Sequence, residues 1–222
     1  MEFRKLMKSA PGKPKKKRFN WTLDESKYLS TEEVKKLRET CLKGRDIAVI
    51  RRDYIPVRDW FMVELGLNAG LRVAEMANLK VSDLFIDKNQ SSVSTIGKGS
   101  KKRAVWISKR FKRSCIWFLG CKQRIGQSIS PDSYLLTAQN GKSLTTRALQ
   151  KAFKRCMQKA RLASHYSIHC LRHTYGSHLY VSSGHDLRLI QEQLGHSSVK
   201  VTEVYASVMD VDAKKAVERL YK

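Results

Sequence analysis

Apolar residues recur at helical spacing along most of this chain and alternate with polar ones in only three short stretches. That pattern predicts an α+β domain, mostly helical with one small antiparallel sheet. The first helix is expected near Ser30-Thr31-Glu32-Glu33, where Ser30 and Glu33 have capping-box spacing and Val34 and Leu37 open the apolar stripe. Tyr54 to Leu67 reads as a second helix, with Trp60, Phe61, Val63, Leu65 and Leu67 largely buried. The glycine-punctuated turn Gly66-Leu67-Asn68-Ala69-Gly70-Leu71-Arg72 then delivers Arg72 to the start of a short helix running through Glu75, Met76 and Leu79. Strands are expected at Leu84 to Ile86, Ser92 to Ile96 and Arg103 to Ile107, the last two joined by the polar hairpin Gly97-Lys98-Gly99-Ser100-Lys101-Lys102. Helices are expected again over Lys109–Arg124, Leu144–Arg161, His169–Val181, Asp186–Leu194, Val199–Tyr205 and Asp212–Tyr221.

Charge changes the picture more than composition does. Lys and Arg number 44 against 20 Asp and Glu in 222 residues, a formal net charge of +24 that spreads beyond the N-terminal tail into the middle and the C-terminal third of the chain. Such a surface suits a polyanion, because each phosphate it neutralises releases condensed counterions. Membrane lipid is the weaker candidate, since the longest apolar runs fall far short of a span and no lipid-anchoring motif is visible. Residues 1–28 are basic and carry Pro11, Gly12, Pro14 and the run Lys15-Lys16-Lys17-Arg18. They read either as an arm that tracks a DNA backbone or as a solvated tail, ahead of one main domain over 29–222. No apolar leader follows Met1, and the five cysteines are scattered without a CxxC pair, so an intracellular, cytoplasmic and reduced protein is expected. His169 and His173 stand at i, i+4 without a third ligand at metal spacing, so no metal or other cofactor is expected.

The chemistry-bearing residues suit phosphodiester cleavage. Arg72 and Arg172 each present a planar fork matched to phosphate oxygens. Tyr205 offers a phenol that needs help to attack, His169 a base titrating near neutrality, Lys98 a proton for a leaving oxygen, and His196 a hydrogen bond to phosphate. Taken singly, each also has an ordinary reading, Tyr205 as an amphipathic edge residue, Lys98 as one more hairpin lysine, His196 as a helix cap.

Taken in order, the motifs resemble those of the tyrosine recombinase family, which includes phage integrases and Xer-type recombinases. Gly70-Leu71-Arg72-Val73-Ala74-Glu75 looks like the box of the first family arginine, and Gly97-Lys98-Gly99-Ser100-Lys101-Lys102-Arg103 like the hairpin of the family lysine. His169-Cys170-Leu171-Arg172-His173-Thr174 is similar to the HxLRHT box and Leu194-Gly195-His196 to the LGH box, with Tyr205 at the family's spacing beyond. The resemblance implies that Arg72, Lys98, His169, Arg172 and His196 serve Tyr205 as it attacks the scissile phosphate, leaving a 3′-phosphotyrosyl link and a 5′-hydroxyl. Glu75 would brace the site, and neither metal nor ATP would be required. Lys15, Lys16, Lys17, Arg18, Lys101, Lys102 and Arg103 are the expected DNA contacts.

The implied partner is double-stranded DNA with a specific core site, held by a homotetramer on two sites, with a monomer or dimer open in its absence. The stretch Asp212–Tyr221 would either pack on a neighbouring protomer or close its own core. Most relatives carry a helical core-binding domain ahead of the catalytic domain, and here a basic arm stands in that place. Recombination by the chain alone and a truncated integrase therefore both remain open, as do a type IB topoisomerase and a DNA-binding regulator.

Overall fold

The computed structural model describes residues 27–97 and 102–195. Helix α1 (Thr31–Arg51) starts where the capping box predicts, with Ser30 Oγ accepting from the Glu33 N–H and the Glu33 carboxylate accepting from the Ser30 N–H. Helix α2 (Tyr54–Ala69) is buried almost all round, and Tyr54, Val57, Phe61, Met62 and Leu65 are fully enclosed. A helix buried on every side sits at the centre; its charged Asp59 and Glu64 are paired with Arg58 and Arg38, and α2 packs against α1, α4 (Lys109–Arg124), α5 (Thr146–Lys159) and α6 (His169–Ser182). Phe61 stacks on Phe118 of α4 at 3.9 Å between ring centroids, with the planes 2° from parallel.

Three antiparallel strands, β1 (Leu84–Ile86), β2 (Ser91–Ile96) and β3 (Lys102–Trp106), form the sheet in sequence order. Cross-strand partners Leu84, Val93 and Val105 line its inner face. The row Phe85, Ser92 and Trp106 lies on the other face, where the two aromatic rings are exposed. Helix α3 (Val73–Asn78) lies between α2 and the sheet in sequence, and α7 (Leu187–Leu194) follows α6. The α+β expectation therefore holds, with a largely helical chain and one small sheet.

Boundaries moved by one or two residues for local reasons. Asp186 and Thr145, read as helical, are N-caps whose side chains accept from Leu189 N–H and Ala148 N–H. Leu79 is extended instead of closing α3, and its carbonyl accepts from the Leu135 N–H. The long connection between α4 and α5 is held by Lys122, fully buried, whose Nζ donates to the carbonyls of Tyr134 and Leu135. The helices expected at Val199–Tyr205 and Asp212–Tyr221 lie outside the described residues.

Candidate active site

Gly70 sets the geometry of the first arginine. It ends α2 in the left-handed conformation (φ 57°), and a Cβ there would fall 2.3 Å from the Tyr175 ring, so glycine is required both by conformation and by space. Two residues later Arg72 caps α3, its side chain 36% exposed. Glu75, one turn on and buried, accepts from Arg72 through both the backbone N–H (2.8 Å) and Nη1 (2.9 Å).

Arg172 reaches the same place from α6. Nearly buried, it donates from Nη1 to the Gly70 carbonyl and from Nη2 to the Leu194 carbonyl, both at 2.7 Å. Those bonds tie the turn before Arg72 to the end of α7. His169 stands one turn before Arg172, at the start of α6. Partial burial, then the positive charges of Arg172 and Arg72, lower its pKa, so at neutral pH it is an uncharged imidazole able to accept a proton. His173, the next turn along, is held down to about 4, first by burial and then by Arg172, His169 and Lys27.

Arg103 differs from the sequence reading. Expected as a DNA contact, it turns inward and places Nη1 and Nη2 on the two oxygens of Glu75 at 2.9 and 3.0 Å, with its side chain 13% exposed. The reason is strand parity: Arg103 pairs with buried Thr95 and lies on the same face as Val105, whereas Lys102 lies on the outer face. Following the alternation back from Val105 through β3 would have found it. Burial alone would raise the Glu75 carboxyl, but the hydrogen bonds from Arg103 and Arg72 outweigh it and hold the group below its ordinary range.

A cleft of about 530 Å³ opens beside this cluster, lined by Arg72, Glu75, Asn78, Thr95 and Gly97. Gly97 immediately precedes Lys98, so the root of the hairpin stands beside Arg72. Arg72, Glu75, His169 and Arg172 are thus assembled from segments about a hundred residues apart. Lys98, Lys101, His196 and Tyr205, with Lys15, Lys16, Lys17 and Arg18, lie outside the described residues.

The sequence reading also missed the outer face of α5. Arg147, Lys151, Lys154 and Arg155 line a shallow basic depression of about 460 Å³, and their i, i+4, i+7 and i+8 spacing was the available signal. Lys154 also donates to the carbonyls of Ser164 and Tyr166, fixing the approach to α6. Among the described residues, no helix is long and apolar enough to cross a membrane.

Comparison with known proteins agrees with the fold and the motifs. The model of the phage integrase family matches residues 27–211. Tyrosine recombinase XerC of Proteus mirabilis is 36% identical over 181 residues, which is 81% of this chain and 54% of that protein. XerC of Caldanaerobacter subterraneus subsp. tengcongensis is 32% identical over 193 residues, 86% of this chain and 50% of that one. The chain thus spans about half the length of these relatives. Among solved structures, XerH site-specific recombinase bound to a palindromic difH substrate, a post-cleavage complex, superposes with a TM-score of 0.70 at 25% identity, covering 88% of this chain and 54% of that one. XerA recombinase superposes with a TM-score of 0.69 at 24% identity, covering 88% and 65%, and shows the shared fold. With the Arg72, His169 and Arg172 motifs and this fold on one chain, the protein belongs to the phage integrase family of tyrosine recombinases.

Proposed function

We propose that this chain is a site-specific DNA strand transferase that breaks and rejoins duplex DNA through Tyr205. The observation that carries the reading is the convergence of Arg72 and Arg172, with His169 beside them. It is anchored by the Arg172–Gly70 hydrogen bond across 102 residues of sequence. Two guanidinium groups on one phosphate oppose the charge that builds on its non-bridging oxygens. The Tyr205 oxygen forms a bond to phosphorus as the bond to the 5′-oxygen breaks. The phenol proton passes to the neutral His169, and Lys98 supplies a proton to the departing 5′-oxygen. His196 donates to a non-bridging oxygen. Attack by a 5′-hydroxyl from a second strand reverses these steps, so the bond energy is conserved without ATP.

Tyr175, the phenol packed against this site, is a poor rival nucleophile. Burial pushes its pKa up to about 12, and its hydroxyl donates to Gln193. Backbone contacts to DNA fall to exposed Lys102, to the α5 face and to the basic runs at Lys15–Arg18 and Lys101. Arg103 is withdrawn from that set by its pairing with Glu75. Double-stranded DNA with a specific core site is the substrate and partner, and strand exchange between two such sites takes four protomers.

The test uses a pool of randomised-sequence duplexes carrying 5′-bridging phosphorothiolates, whose released thiol rejoins poorly and so traps the covalent state. The full chain should yield a detergent-resistant protein–DNA adduct enriched in one sequence, and Tyr205→Phe should yield none. Absence of adduct from both proteins, with footprints on DNA retained, would make the chain a binder instead. Relaxation of supercoiled plasmid without sequence preference would make it a topoisomerase.

A further inference from the structure

Arg103 joins three of the segments that carry the motifs. It sits on β3, just after the hairpin that bears Lys98, and it holds both oxygens of Glu75 in α3. Its Nε lies 3.5 Å from the Gln193 carbonyl, and its stem runs so close to Gly195 that a Cβ there would fall 2.6 Å from Cδ. Gly195 takes the left-handed conformation (φ 63°) that ends α7, one residue before His196.

How the carboxylate is shared matters most. A carboxylate binds a guanidinium best through two parallel bonds, and at Glu75 that geometry belongs to Arg103. Arg72 makes one side-chain bond to Oε1 and a long 3.4 Å contact to the Gly195 carbonyl, and it is the more exposed of the two, 36% against 13%. We propose that Arg103 is a positioning residue: by holding Glu75 bidentately it stops Arg72 from closing on that carboxylate, keeps the Arg72 fork presented to the DNA phosphate, and latches the hairpin to the end of α7. The role in cleavage rests on the strand-transferase reading above, whereas the sharing of Glu75 does not. Once Arg103 is removed, Glu75 takes Arg72 in the two-bond geometry and neutralises it.

Two measurements on the full chain test this. The first needs no DNA: proton exchange at the Arg72 Nε–Hε group, read by nuclear magnetic resonance. It should slow in Arg103→Met as Arg72 closes on Glu75, and it should return to the wild-type rate when Glu75→Gln is added. Unchanged exchange in Arg103→Met overturns the proposal whether or not the chain cleaves DNA. The second uses the duplex recovered by covalent trapping. Single-turnover cleavage at saturating protein should fall about 10–100-fold in Arg103→Met, with affinity and its salt dependence nearly unchanged. In the Glu75→Gln background the same substitution should add less than about threefold, as expected if Arg103 acts through that carboxylate. Arg103→Lys, which keeps the charge and most of the stem, should show the same changes in smaller degree and serves if the Met variant does not fold. A fall in affinity together with a salt slope shallower by about 1, the saturated rate being unchanged, would make Arg103 a phosphate contact and refute the proposal. Failure of the wild type to form any adduct would instead sink the strand-transferase reading, and the exchange measurement would still decide how Glu75 is shared.

Discussion

Arg172→Lys asks whether the second arginine is also a structural latch. Arg172 is nearly buried and bonds two main-chain carbonyls at 2.7 Å, one at the end of α2 and one at the end of α7. Lysine keeps the charge but replaces the rigid fork with one nitrogen on a shorter reach, so one carbonyl loses its charged donor inside the protein. A hydrogen bond to a charged group contributes about 1.5–3 kcal/mol and an orphaned buried acceptor costs about 1–3, overlapping quantities that together place the loss near 2–4 kcal/mol. At about 2–4 °C per kcal/mol for a chain of this size, the melting temperature should drop by roughly 4–16 °C. Thermal melts give the magnitude and amide hydrogen exchange gives the location. The Gly70 and Gly195 amides, bonded to the Gly66 and Glu192 carbonyls, should lose more protection than those of α4. A melting point within about 1 °C of wild type, or equal loss of protection everywhere, would refute the latch.

Three other substitutions probe separate parts of the fold. His173→Gln should flatten the acid limb of stability. The native pKa near 4 lies below the unfolded value near 6.5, so the unfolded state binds the extra proton between them, and wild-type stability must fall over that window as pH drops; parallel wild-type and variant curves in denaturant titrations from pH 7 to 4 would contradict this. Lys122→Met should narrow its stability difference from wild type as pH falls from about 10 to 8, because burial depresses the lysine to about 8 and the wild type alone bears the cost of a buried ammonium below that pH; a pH-independent difference would refute it. Gly70→Ala should cost about 2–4 kcal/mol by urea denaturation, combining a left-handed alanine with a contact 2.3 Å from the Tyr175 ring, and a loss under about 0.5 would show that the turn yields.

Features that depend on local rules were readable in the sequence. Ser30 and Glu33 cap α1 because both partners lie within one turn, and Arg72, Glu75, His169 and Arg172 stand in short motifs whose spacing survives without knowledge of the fold. Arg103 and Lys122 were misread or passed over because a cation is ordinarily counted as surface, and only long-range partners make its burial tolerable. Glu75 provides such a partner for Arg103 across 28 residues, and the carbonyls of Tyr134 and Leu135 do so for Lys122. The turn structure between α4 and α5 has no periodicity to read, since its order comes from those bonds and from the Tyr54 hydroxyl meeting Thr137. The α5 stripe was visible as spacing, but in a chain this rich in Lys and Arg a row of cations on one helix face is ordinarily a solvated face and does not stand out.

The charges of the assembled cluster bear on how it would favour a transition state over bound DNA. Arg72 and Arg103 share the carboxylate of Glu75, Arg172 holds the turn before Arg72, and Asp83 lines the same cleft, so among the described residues positive charge exceeds negative, while His169 is held neutral. A phosphodiester carries one negative charge, and in-line attack by a phenolate carries the phosphorane-like state towards two. A site with a surplus of positive charge therefore matches the reacting state better than the substrate, and such differential binding is what accelerates a reaction. Removing Glu75 would raise the surplus and tighten ground-state binding to the phosphate, but it would also free both guanidinium groups from their fixed planes. Preorganisation and charge thus pull in opposite directions at Glu75. On this reading, Glu75→Gln should bind DNA at least as well as wild type while cleaving it more slowly, and weaker binding with an unchanged saturated rate would show that the carboxylate serves only to hold the fold.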